Sequence, residues 1–244
     1  MALFVIHNSL FLIYLLVELS KLEKKIEYSF KNKALLKEAL THRSYLNENP
    51  KWGIPDNERL EFLGDAVLEL ATTEELYKRF PERQEGAMTS YRAALVNYVM
   101  LARIAIEIGL DKQVLLSRGE AKDMGTAREV ILANAMEALI GALYLDGGYE
   151  DARKFVNTVV LEHLAEVLKG GLYKDPKSAL QEKIQEQKRI TPIYKVLSET
   201  GPDHSKVFTV GVYVGEEMIA EGKGSSKQEA EADAARIALE SDKS

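Results

Sequence analysis

The 244-residue chain contains no cysteine. That excludes disulfides and thiolate metal sites, and it fits a cytoplasmic location. A positive charge excess is also missing: 32 Lys and Arg stand against 38 Asp and Glu, a formal net charge of −6. A basic coat able to hold nucleic acid over the whole surface is therefore excluded, and any polyanion must be gripped by local patches. The amino terminus has no uninterrupted apolar run of bilayer length. Leu3–Val17 is broken by His7, Asn8 and Ser9 and falls short of the ~20 residues a spanning helix needs. With no basic residues ahead of it and no convincing small-residue cleavage site, it makes a poor signal peptide. Residues 1–18 are read as an atypical apolar extension, with three origins open: a helix docked on the next domain, a misassigned translation start with Val17 as the alternative, or a helix on a membrane surface. Membrane contact is the least expected of these.

Strand alternation is absent from the first two thirds. Ala34–Leu46, Leu60–Arg79, Tyr91–Ile108, Val130–Leu145 and Glu150–Leu168 all carry apolar spacing compatible with 3.6 residues per turn, so residues 19–168 are expected to form an all-α domain. Paired glycines and a proline in Lys169–Ser178, KGGLYKDPKS, mark a boundary, with 169–175 as linker. Over 176–241 the pattern changes. Pro176–Gln187 reads as a helix, Ile193–Leu197, Val207–Val214 and Met218–Gly222 as strands, and Ser226–Leu239 as a closing helix with Ser226 and Glu229 as a capping box.

Two helical segments carry the chemistry. In Val130–Leu145, VILANAMEALIGALYL, the only polar side chains are Asn134, Glu137 and the Tyr144 hydroxyl. Such a helix is buried nearly all round, and an ionised Glu137 within it needs compensation from a cation, a metal or hydrogen bonds. In Asn57–Asp65, NERLEFLGD, Glu58, Glu61 and Asp65 fall within a fan of roughly 60° at about 100° per residue, opposite Leu60, Leu63 and Val67. A solvated acidic face is the plain reading, but Phe62 lies on that side, where solvent would not favour an aromatic. Glu69, one turn further on, reads as ordinary surface. Together Glu61, Asp65, Asn134 and Glu137 offer three carboxylates and an amide oxygen, a hard donor set suited to Mg²⁺ or Mn²⁺ and, through a phosphate-completed shell, to phosphoryl chemistry.

NERLEFLGD, preceded by ALTHRSY (Ala39–Tyr45) and followed by NAMEALIGALYLD (Asn134–Asp146), resembles the endonuclease domain of bacterial ribonuclease III, and the α-β-β-β-α order after it resembles the double-stranded RNA-binding domain. The likeness runs from about Leu19 to Leu239. It implies a multidomain protein, all-α then α+β, that cleaves double-stranded RNA to 5′-phosphate and 3′-hydroxyl ends using Mg²⁺, with Mn²⁺ able to substitute and no small-molecule cofactor. Expected substrates are ribosomal RNA precursors and other structured messenger and transfer transcripts. Asp65 and Glu137 take the catalytic positions, with Glu61, Asp65, Asn134 and Glu137 as metal ligands. Glu58 and Glu85 match acidic positions lining the cleft, Glu85 sitting in the loop-like PERQEGAMT. Phe62 occupies the place of an interface knob in a homodimer.

In the second domain the resemblance assigns Gln181 and Glu182 to one minor groove, His204 in the loop Gly201–Lys206 to the next, and Lys223, Ser226 and Lys227 to the phosphates between them. Two positions depart from the family pattern. Gln228 stands where a lysine is common, which implies weaker binding. Asn134 stands where many members have aspartate, which implies lower divalent affinity. Besides the endonuclease, two alternatives follow from Asn134 and the acidic cluster: a duplex-RNA binder that has lost cleavage, and a scaffold with a structural metal.

Overall fold

Asn97 shows how local chemistry cuts an apparently continuous helical pattern. Its amide nitrogen donates to the carbonyls of Ala93 and Ala94 at 3.1 and 3.0 Å, while its oxygen accepts from Met100 N–H at 2.9 Å. One side chain thus closes one helix and opens the next, so the expected Tyr91–Ile108 helix is two. The computed structural model describes residues 19–123, 125–170, 176–202 and 206–241. They belong to two units that divide after Gly170.

The described part of the first unit is helical: α1 (19–25), α2 (Lys33–Ala39), α3 (Arg43–Glu48), α4 (Glu58–Arg79), α5 (Glu85–Val96), α6 (Tyr98–Glu107), α7 (Thr126–Gly147), α8 (Tyr149–Val159) and α9 (Leu164–Gly170). The expected Ala34–Leu46 helix is interrupted at Leu40–His42. There His42 turns extended and caps α3, and the backbones of Leu40 and His42 bond to Leu115. A 3₁₀ turn at Leu161–His163 likewise separates α8 from α9. Apolar spacing runs across both breaks, so periodicity alone could not reveal them. The last helix reaches Gly170, two residues into the stretch expected to be linker.

At the centre stands α7, whose residues from Ile131 to Leu143 are buried apart from half-buried Asn134 and Glu137. It crosses α4 with almost nothing between the two backbones. A Cβ on Gly64 would lie 1.8 Å from the Glu137 carbonyl oxygen, and one on Gly141 would lie 2.3 Å from that of Leu60. Only glycine permits this approach.

In the second unit α10 (Pro176–Lys188) precedes the antiparallel strands β1 (Ile193–Thr200), β2 (Val207–Val214) and β3 (Glu217–Gly224), in spatial order β1-β2-β3, and α11 (Lys227–Ser241) follows. Leu180 and Ile184 of α10, Val212 and Val214 of β2, and Ala234, Ala235 and Ala238 of α11 form the core on one face of the sheet.

Gly141→Ala places a methyl against the Leu60 carbonyl. The expected cost is at least about 1–3 kcal/mol, as for overpacking in a dense core. Thermal unfolding followed by circular dichroism measures it; an unchanged melting temperature would show that the helices separate freely.

Candidate metal centre and nucleic-acid interface

The glycine contact sets the site. Glu61 and Asp65 flank Gly64 on α4, and Glu137 is the residue of α7 whose carbonyl meets Gly64. Asn134 lies one turn earlier on α7, and its amide favours the charged form of the Glu61 carboxyl. Because a carboxylate only accepts, such an effect comes from the amide N–H rather than its oxygen. Glu61, Asn134 and Glu137 are half-buried, and Asp65 is exposed.

Acidic charge is concentrated here. Four of the six carboxylates on α4 are paired: Glu58 with Arg43 at 3.3 Å, Glu69 with Arg92 at 2.7 Å, Glu74 with Lys78 at 2.7 Å and Glu75 with Arg79 at 2.7 Å. Among the described residues no lysine or arginine pairs with Glu61, Asp65 or Glu137. Burial pushes the Glu137 carboxyl up to about 7, and the neighbouring Asp65, Glu61 and Glu69 carboxylates add to the rise. Glu61 is raised by burial and then by Glu58, with the Asn134 hydrogen bond opposing. Glu69, read from sequence as plain surface, therefore contributes to the field at Glu137.

Among the described residues no three acidic or imidazole groups close around one point. The four side chains line a face open to solvent. Such a face fits Mg²⁺, which keeps several waters and is completed by phosphate oxygens.

The flanking positions are also defined. Glu58 is the first residue of α4 and is held by Arg43. Glu85 is not in a loop: it opens α5, where the helix dipole favours an acid, and accepts from the Thr89 hydroxyl at 2.8 Å. It also lines a cavity of about 180 Å³ with Thr73, Leu76, Tyr77, Met88 and Arg92. Phe62 is 84% exposed, and Leu70 and Tyr77 continue an apolar stripe along the same side of α4.

In the second unit Gln181 and Glu182 are exposed on α10 and Lys223 is exposed on β3, while His204 lies outside the described residues. Ser226 caps α11, accepting from Glu229 N–H at 3.2 Å. The reciprocal half of the expected capping box is shifted by one residue: the Glu229 carboxylate takes the Ser225 backbone N–H at 2.9 Å. Lys227, the first residue of α11, lies 3.3 Å from Glu199. The expected strand Ile193–Leu197 extends to Thr200, which brings Glu199 into the sheet.

Residues 32–164 match the family model described as ribonuclease-III-like, and residues 176–241 match the double-stranded RNA binding motif. Ribonuclease 3 of Carboxydothermus hydrogenoformans is 46% identical over 222 residues, 91% of this chain and 94% of that one. Ribonuclease 3 of Borreliella burgdorferi is also 46% identical, over 91% of this chain and 90% of its own. Among solved structures, the nuclease domain of Campylobacter jejuni ribonuclease III is 42% identical, with a TM-score of 0.53 over 58% of this chain and 95% of that chain. The matches define a helical nuclease domain joined to a duplex-RNA-binding module. The chain belongs to the ribonuclease III family of endoribonucleases.

Because the folded Glu137 carboxyl titrates at about 7, against 4.5 for the free group, it favours folding below 4.5 and loses that contribution as pH rises through 7. In EDTA, Glu137→Gln is therefore expected to raise the melting temperature by roughly 2–4 °C near pH 8. The advantage should vanish near about pH 5, where the native carboxyl is already neutral. Parallel melts at the two pH values check this; a gain independent of pH would contradict it.

Proposed function

We propose that this chain hydrolyses double-stranded RNA with Mg²⁺ as its ion, Mn²⁺ being able to substitute, and leaves 5′-phosphate and 3′-hydroxyl ends. Structured precursors of ribosomal RNA and structured messenger and transfer transcripts in the cytoplasm are its substrates. One observation carries the reading: Glu61, Asp65 and Glu137 concentrate negative charge and, among the described residues, no lysine or arginine pairs with them. That arrangement is costly unless a cation arrives from outside the chain.

Glu61, Asp65, Asn134 and Glu137 would hold the ion. When bound, a divalent cation supplies charge neutralisation and Lewis acidity at the phosphodiester. The protein's own groups do the positioning. Asn134 favours the charged Glu61 carboxylate through its amide, and the half-buried Glu137 anchors the face beside the helix crossing. Glu58, steadied by Arg43, and Glu85, on the first turn of α5, support RNA placement. Gln181, Glu182, His204, Lys223, Ser226 and Lys227 carry the duplex contacts of the second domain.

The enzyme works as a homodimer. The solved Campylobacter jejuni domain is described as having a region involved in dimer formation. Here an aromatic 84% exposed and a partly apolar cavity of about 180 Å³ lie on the same protomer. Phe62 of one protomer enters that cavity on its partner, which removes a large apolar side chain from water.

Cleavage of a long, perfectly paired RNA across a Mg²⁺ titration tests the enzymatic reading. Discrete short duplexes should appear with the native chain and vanish with EDTA. Asn134→Asp restores a charge and should lower the Mg²⁺ midpoint by about threefold or more, since affinity follows ligand charge. Binding without cleavage at every Mg²⁺ concentration would refute the reading, and superimposable titrations would refute the role of Asn134. Phe62→Ala should weaken the dimer about tenfold or more, as truncating a buried aromatic anchor does. Sedimentation at nanomolar protein decides it, and a variant still wholly dimeric would remove Phe62 from the interface.

A further inference from the structure

The RNA-binding unit is short of positive charge. Between residues 176 and 241 there are nine Lys and Arg against eleven Asp and Glu. Affinity for a polyanion must then depend on how the few lysines are disposed.

Glu199 sits among them. The β1–β2 register shifts between Val196 and Ser198, and beyond the shift Glu199 pairs with Phe208. A bulge re-aims the residues after it. Since Val210 pairs with Val196 on the helix-covered face, Phe208 shares that face and Glu199 is brought to it. There one carboxylate oxygen lies 3.3 Å from Lys227 Nζ and the other 3.8 Å from Lys206 Nζ. Lys227 Nζ also stands 5.7 Å from the centre of the Phe208 ring. Lys206 ends the loop and Lys227 begins α11, so a single carboxylate bridges two of the regions assigned to RNA. Its two oxygens span the lysines as two oxygens of one phosphate would. All three side chains are substantially exposed, and exposed pairs of this kind contribute little to folding.

We propose that Glu199 acts as a built-in competitor for the RNA phosphate at the start of α11, holding Lys206 and Lys227 in place and weakening duplex binding until RNA displaces it. The proposal rests on the reading that Lys227 contacts phosphate, and the experiment separates the two.

Binding of the full-length chain to a perfectly paired RNA longer than the ~16 base pairs one such module spans is measured across a salt series, in EDTA to prevent cleavage. Glu199→Gln should bind about 3- to 10-fold tighter at ~0.1 M salt, with a steeper salt dependence. Lys227→Ala should bind more weakly with a flatter one. If Lys227→Ala weakens binding while Glu199→Gln leaves it unchanged or reduces it, the competitor role is overturned and the phosphate reading stands. If Lys227→Ala has no effect, both fall. A melting temperature for Glu199→Gln well below that of the native chain would make Glu199 a structural brace and also overturn the proposal.

Discussion

Everything in the nuclease domain hangs on the meeting of two helix backbones at Gly64 and Gly141. Glycine inside a helix costs about 1 kcal/mol relative to alanine, yet both central helices carry one at the crossing. Closeness offsets that cost. With no side chain between them, α4 and α7 bring Glu61 and Asp65 to the same place as Asn134 and Glu137. Their separation is set by covalent geometry and van der Waals contact.

The electrostatics follow from the same contact. Residues placed by a backbone crossing can neither escape burial nor drift apart, so burial first, and the neighbouring carboxylates second, raise the proton affinity of Glu137. Elsewhere on α4 the opposite choice was made, with each of the other four carboxylates given a lysine or arginine. The contrast along one helix sets the carboxylates that have a counter-charge apart from Glu61 and Asp65, which have none among the described residues.

Much of this was legible in the sequence. The polar residues of the apolar α7 pattern and the acidic fan of α4 stood out because burial and helical phase are local properties of the chain. The strand order of the second domain was visible through its period-two alternation and turns. Other features depend on partners distant in sequence. The break at Leu40–His42 exists because Leu115 supplies backbone hydrogen bonds. The break at Asn97 was local and could have been suspected, since asparagine is a strong cap, but apolar periodicity runs through it. Glu85 gave no sign that it opened a helix rather than lying in a loop. Glu199 was hidden by a register shift that only strand pairing reveals.

The charge count of the second unit has a practical corollary. Nine basic and eleven acidic residues make this RNA-binding module, taken over its own span, an anion. It would be retained by a positively charged resin rather than a negatively charged one, and a survey that picks nucleic-acid-binding proteins by isoelectric point would pass it by. What identifies it is the match to the double-stranded RNA binding motif and the α-β-β-β-α order of its elements, a property of arrangement that no sum over residues preserves.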